Sequence, residues 1–157
     1  MRDVNELNIN EGGTAVVREG PSVAVVGDFE RQFGVSLPCD YVAFLRQTNG
    51  GHPEIDSFVP FGCHNLNRFN VDSFYHLSDF SEADTLNLWR AARDWRDILG
   101  SLCIPFAQDG GGNQIYFDLT RGAEVFLCIH DESFKRVYVA ESFLSFLDLL
   151  EVDEDMI

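Results

Sequence analysis

The side chains in this sequence that could do chemistry are four cysteines, four histidines and 26 carboxylates. Zinc is the first possibility. Cys63 stands beside His64, and Cys128 is separated from His130 by one residue, so these four could be drawn into one ligand set. Structural zinc sites carry paired ligands, with roughly two to four residues between cysteines or three to five between histidines. Neither spacing occurs, so no metal and no cofactor is expected. Nucleophilic catalysis is the second. Cys128, His130 and Asp131 contain the right groups, but alternate residues of a strand share a face, so Asp131 would point away from the other two. No Gly-x-Ser-x-Gly elbow is present. Paired carboxylates are the third. Asp109 and Asp118 bracket one predicted hairpin and could approach a common face, as a glycosidase would require. Asp109 also begins a glycine turn, where its carboxylate can bond the backbone two residues on. No catalytic residue is assigned, and the chain reads as a non-enzyme.

The elements that would position these groups can be read from periodicity. Ile115 and Phe117 alternate with Tyr116 and Asp118, the period of a strand. Gly110, Gly111 and Gly112 are expected to supply the positive φ of a tight connection. Segments 102–107 and 114–119 are therefore neighbouring antiparallel strands joined through 108–113, and 124–129 follows after Thr120-Arg121-Gly122. The glycines make a poor phosphate cradle, because no helix follows them and no Lys-Ser/Thr pair closes the loop. Residues 134–139 add a fourth strand or an irregular approach to the last helix.

Helical spacing appears in four places. Val25, Val26, Phe29 and Phe33 recur between Pro21 and Gly34, with the glycine as a left-handed cap. Pro38 suits the first position of a second helix, where its missing N–H costs nothing. Tyr41, Phe44, Leu45 and Thr48 form its inner face, and Asn49-Gly50-Gly51 ends it. A third helix is expected from Ser81, with Asp84 at capping-box spacing and Leu88, Ala92, Trp95 and Leu99 on one face. Ser142 caps a fourth, with Phe143, Phe146, Leu147 and Leu150 along one stripe. Segments 57–61 and 69–74 read as short strands, and residues 1–20 as a loose arm or an added strand. The class is α+β: a single domain with N-terminal helices, a further helix before an antiparallel meander, and a C-terminal helix covering the sheet.

Length, charge and composition bound the function. The chain has 157 residues, 45% of them hydrophobic and 14 of them Phe, enough for one core. Net charge is −15, from 26 acids against 11 bases, with a terminal cluster at Glu151, Asp153, Glu154 and Asp155. Phosphate contacts need a basic surface, so direct nucleic-acid binding is disfavoured, as is an anionic membrane. A basic protein partner is favoured instead. Asp109, Asp118, Asp131 and Glu132, at strand ends and turns, are the expected contact patch. The start lacks a signal-peptide pattern, no apolar run approaches the ~20 residues of a membrane span, and Cys39, Cys63, Cys103 and Cys128 form no C-x-x-C pair. A cytoplasmic protein with reduced thiols is expected.

Three motifs occur in order. The first is Leu37-Pro38 followed by Asp40-Tyr41, Phe44-Leu45 and Asn49-Gly50-Gly51. The second is Ile104-Pro105-Phe106-Ala107 followed by Asp109-Gly110-Gly111-Gly112-Asn113. The third is Ser142-Phe143 followed by Phe146-Leu147. Together they resemble the SUKH superfamily, in the branch named after fungal cell-wall synthesis regulators, whose bacterial members are mostly immunity proteins of toxin systems. The resemblance runs from about residue 29 to about residue 150, so 21–157 is expected as a single SUKH-like domain behind the 1–20 arm. It implies the same α+β architecture and a non-enzymatic protein that neutralises a basic toxin, a nuclease among the options, with a regulatory or scaffold module as the alternative. Leu37, Pro38, Tyr41, Leu45, Gly50, Gly110, Gly112, Phe143 and Phe146 match the motifs as scaffold positions. The sequence departs from its relatives in lacking a first-helix tryptophan, for which Phe29 or Phe33 would serve, and in carrying Trp89 and Trp95 on the third helix.

Overall fold

The computed structural model describes residues 1–61, 68–81 and 83–153. The expectations placed on Cys63, His64, Glu154 and Asp155 lie outside the described residues.

Helix boundaries follow local chemistry. Helix α1 (Val23–Phe33) opens at Ser22, whose Oγ accepts from the Val25 N–H at 3.2 Å, and closes on Gly34 at φ 66°. Helix α2 (Cys39–Gln47) starts one residue later than predicted, because Pro38 keeps an extended ψ of 137° and serves as the N-cap. Its missing N–H is as harmless there as one position on. Helix α3 (Leu88–Leu99) is the larger correction. It begins at the Asn87 cap, not at Ser81. Asp84 does not cap it. Its carboxylate accepts from the Leu86 N–H at 3.0 Å and meets His76 Nε2 at 2.7 Å. A local turn of this kind competes with helix for the same backbone groups. Helix α4 (Phe143–Leu149) opens at Ser142, whose Oγ accepts from the Ser145 N–H at 3.1 Å.

Residues 1–20 are not loose. A 3-10 turn (Val4–Leu7) puts Leu7 fully inside the main core, and a hairpin follows, β1 (Asn10–Glu11) with β2 (Thr14–Ala15). The predicted strand 69–74 divides in two. β3 (Ser57–Phe58) pairs with β4 (Phe69–Asn70), while β5 (Ser73–Phe74) joins the main sheet. Between them the Val71 N–H bonds the Asp56 carbonyl at 2.8 Å and the Asp72 N–H bonds the Gln108 carbonyl at 2.9 Å, so the chain changes partners there.

The main sheet is antiparallel, in the order β5, β6 (Cys103–Gln108), β7 (Gln114–Asp118), β8 (Glu124–Ile129) and β9 (Lys135–Ala140). Its register slips between Pro105 and Ala107, where a proline lacking an N–H interrupts the β6–β7 ladder. Ile104, Phe106, Ile115, Phe117 and Leu127 belong to the same core as α2 and α4. Tyr41 of α2 packs edge-on against Phe117 (5.0 Å) and Phe143 (5.2 Å), and Phe146 does so against Phe106 (5.4 Å) and Phe58 (5.3 Å). Each such fully buried ring stabilises the fold by roughly 1.5–3 kcal/mol. The opposite sheet face is not bare. Tyr116, Cys103 and Cys128 form a second small cluster with Leu99 and, at its margin, Trp95 and Phe126. Helix α3 therefore serves both faces. Its Trp89 stands edge-on to Phe29 at 5.1 Å, which places a tryptophan against the first helix without carrying it there.

Asn49-Gly50-Gly51 does more than end α2. Asn49 is fully buried. Its Nδ2 donates to the Glu19 and Leu77 carbonyls, each at 2.9 Å, and its Oδ1 accepts from the Leu77 N–H at 2.8 Å. Gly50 and Gly51 have φ of +84° and +114°. A Cβ would lie 2.9 Å from the His76 Cβ at the first and 2.6 Å from Val16 at the second. Close approach of three chain segments requires both glycines.

Candidate functional site

The turn joining β6 to β7 is organised by one carboxylate. Asp109 Oδ1 accepts from the N–H groups of Gly111 and Asn113, and Oδ2 accepts from Asn113 Nδ2, all at 2.8 Å. The residue is only 7% exposed. The expectation of a freely presented charge at Asp109 is therefore corrected, since its oxygens are committed to its own turn. Only Gly112 of the glycine triplet has a positive φ, +86°; Gly110 and Gly111 do not, so the turn needs one left-handed residue, not three. Asn113 Oδ1 also accepts from the His130 N–H at 3.0 Å, and His130 Nε2–H donates to the Gly111 carbonyl at 2.7 Å. The turn between β8 and β9 is thereby tied to the Asp109 turn, and it carries the exposed Asp131 and Glu132.

Asp118 stands apart from these three. It ends β7, four residues along from Gln114, about 14 Å at strand rise. Its Oδ2 accepts from the Arg136 guanidinium at 2.9 Å, and its Oδ1 from the Thr120 N–H at 3.0 Å. Partial burial opposes ionisation, but the bonds from Thr120 and Arg136 outweigh it and hold the Asp118 carboxyl below the usual range. Arg136 also donates to the Tyr116 hydroxyl at 2.6 Å and lies 4.9 Å from the Phe126 ring centre. Of the four residues expected in one patch, the structure brings Asp109, Asp131 and Glu132 to one end of the sheet and leaves Asp118 at the other.

At that shared end lies an acidic cleft of about 480 Å³, lined by Glu54, Asp56, Asp109 and Asp153 together with Arg68, Phe69, Asn70 and Val152. Four remote segments build it. The stretch beginning at His52 is held by its backbone pair with Asn10 (2.8 and 2.7 Å) and by the pair between Ser57 and Glu151 (3.0 and 2.7 Å), which also brings the chain after α4 to the rim. Arg68 bonds Glu151 Oε1 at 2.6 Å and Ser57 Oγ at 3.0 Å. Burial raises the Asp56 carboxyl above the usual range against the pull of His52, with Asp153 and Asp72 adding to the rise. Glu54, Asp56 and Asp153 were not singled out as site residues from the sequence. Asp153 had a signal, the C-terminal acidic cluster; the other two had none.

Beyond Phe69 a second cleft of about 740 Å³ runs beside β9, lined among others by Pro60, Asp131, Glu132, Lys135 and Val137. Among the described residues, neither cleft presents a nucleophile beside a base. Cys128 is buried, with its thiol pushed up by burial, while His130 Nε2 is bound to a carbonyl. Burial, with Asp118 adding to it, pushes the Cys103 thiol up to about 11, far from a reactive thiolate. Among the described residues, no group of three or more His, Cys, Asp or Glu could hold a metal ion, and no helix is long and apolar enough to cross a membrane. The arrangement suits electrostatic capture of cationic groups over an apolar ring. The motif residues Leu37, Tyr41, Leu45, Phe143 and Phe146 are buried in the core.

A family model described as the SMI1 / KNR4 family (SUKH-1) matches residues 20–149. No curated protein matches the chain.

Proposed function

This chain belongs to the SMI1 / KNR4 family (SUKH-1), and from that footing we propose that it is a non-enzymatic immunity protein that binds and silences a basic toxin in the cytoplasm of the producing bacterium. Family membership supports an immunity- or regulator-type role. The observation that carries the finer reading is the acidic cleft at the turn end of the sheet, on a chain of net charge −15. A nuclease toxin must present a basic face to its substrate. A rigid cluster of carboxylates meets that face as a polyanion would, and complementary fields raise the encounter rate.

Co-expression with the toxin gene next to this one tests the reading, followed by association kinetics as salt is raised. Protection is expected, with association slowing as screening shortens the field to ~8 Å at physiological ionic strength. Failure to protect rejects the immunity role. Weak binding to several unrelated proteins without protection would instead identify a regulatory or scaffold module. Protection with salt-independent association keeps immunity and rejects electrostatic steering.

A further inference from the structure

The turn joining β8 to β9 carries a phenylalanine where backbone geometry favours glycine. The Lys135 N–H closes it on the Glu132 carbonyl at 3.2 Å, and the two residues inside, Ser133 and Phe134, both have φ of +57°. Left-handed backbone is costly for a residue with a Cβ, and a turn with two such positions favours Asn-Gly for that reason. The Phe134 ring is 45% exposed, so burial offsets only part of the strain. It stands edge-on to Trp95 of α3, with 6.3 Å between ring centres. Trp95 is half-buried at the margin of the outer-face cluster, and Ile98, its neighbour one turn along α3, is 44% exposed. Helix and turn thus present an aromatic corner, and the turn also carries the exposed carboxylates of Asp131 and Glu132. Lys135 projects to the other side of the sheet. It alternates with Arg136, which lies over the outer-face rings, and shares the face of Val137, which packs on the main core.

We propose that Phe134 and Trp95 form a platform on which a basic protein partner lays an arginine side chain, its stem against the rings and its guanidinium toward Asp131 and Glu132. The proposal rests on the reading of the partner as basic and adds the group by which it is held. Charge complementarity selects the occupant, since rings and carboxylates together suit a cation with an apolar stem. The protein makes the same pairing with its own residues. Arg136 lies 4.9 Å from the Phe126 ring centre and 5.6 Å from that of Tyr116, while Asp118 accepts from its guanidinium at 2.9 Å. Arginine suits such a surface better than lysine, because its planar, weakly hydrated guanidinium stacks on a ring and still donates within its own plane. Aromatic anchors carry a large share of interface energy, and a ring already fixed by its turn and by Trp95 loses little freedom when a partner covers it.

The probe is a capped alanine–arginine–alanine peptide, titrated into the whole protein at low salt and followed by NMR. The chain has two tryptophans, so one indole N–H reports on Trp95 and the other on Trp89, which faces the first helix. The peptide is expected to shift the Trp95 indole and the Phe134 amide saturably at millimolar concentration and to leave Trp89 in place. A citrulline peptide, which keeps the shape and lacks the charge, should not bind, and a lysine peptide of equal charge should bind at least threefold more weakly. Phe134→Gly should abolish the Trp95 response without lowering the thermal midpoint, because relief of the left-handed strain offsets the lost ring contact. Phe134→Leu, which keeps an apolar side chain on the same backbone, should weaken binding at least threefold. No saturable shift at Trp95, equal binding of the lysine or citrulline peptide, or undiminished binding by either variant overturns the proposal. So does a Phe134→Gly midpoint well below the parent's, since the fold alone would then account for the ring. The neighbouring toxin separates the two readings. Neutralisation by Phe134→Gly at the parent's affinity rejects the platform alone. The expected peptide responses, in a protein that neither binds nor neutralises the toxin, support the platform and reject the immunity role.

Discussion

Reversing the charge at Asp109 and at Asp131 should have opposite effects on fold and binding, although both stand in turns at the same end of the sheet. Asp109→Lys removes three hydrogen bonds to an ionised acceptor, each 2.8 Å long. Bonds of this kind contribute about 1.5–3 kcal/mol each. Gly111 is exposed and Asn113 half-buried, so water regains part of that loss. The new ammonium would also sit near Glu54, Asp56 and Asp153, a small gain. The net cost should be about 3 kcal/mol. For a domain of this size that is a fall of roughly 6–12 °C in thermal midpoint, at about 2–4 °C per kcal/mol. Asp131→Lys removes an exposed charge and should change stability by less than about 0.5 kcal/mol while weakening capture of a basic partner. Urea unfolding of both variants, with exchange rates of the Gly111 and Asn113 amides, checks this. Equal stability of the two variants would show that the turn does not depend on the carboxylate.

The Tyr41 hydroxyl is buried with no hydrogen-bond partner among the described residues, and burial drives its pKa far up; Tyr41→Phe should therefore stabilise the protein by about 1 kcal/mol, and a lower urea midpoint would refute this. Asn49→Ala should cost about 2–5 kcal/mol, because it orphans the buried N–H and C=O of Leu77; a urea midpoint within experimental error of the parent would remove Asn49 from its structural role. His76 is buried, and burial, with Arg18 adding to it, pulls its pKa below the ordinary value of 6.5. The unfolded chain then binds more protons than the folded one below about pH 6.5, so His76's stabilising effect is complete above that pH and declines as pH falls toward the folded pKa. The thermal-midpoint difference between parent and His76→Gln should move against the parent on going from pH 7.5 to 5; a constant difference would refute the shift.

Much of the architecture was legible because it is decided within a turn or two of chain. Ser22 and Gly34 bound α1 by capping chemistry, Ser142 opens α4 in the same way, and alternation at 115–118 separates the two sheet faces. The α+β class and the order of elements followed from those local signals, and the ordered motifs pointed to the family. Tertiary structure overrode local reading where a residue had a better partner far away. Asp84 caps no helix because His76 and its own turn take its carboxylate, which delays α3 to Leu88. Asn49 looked like a helix stop, yet its side chain joins Glu19 to Leu77. The acidic cleft shows the same division most plainly. Charge arithmetic required excess carboxylates somewhere on the surface. Which of them converge depended on the pairs Asn10–His52 and Ser57–Glu151, contacts between segments tens of residues apart that no local spacing encodes.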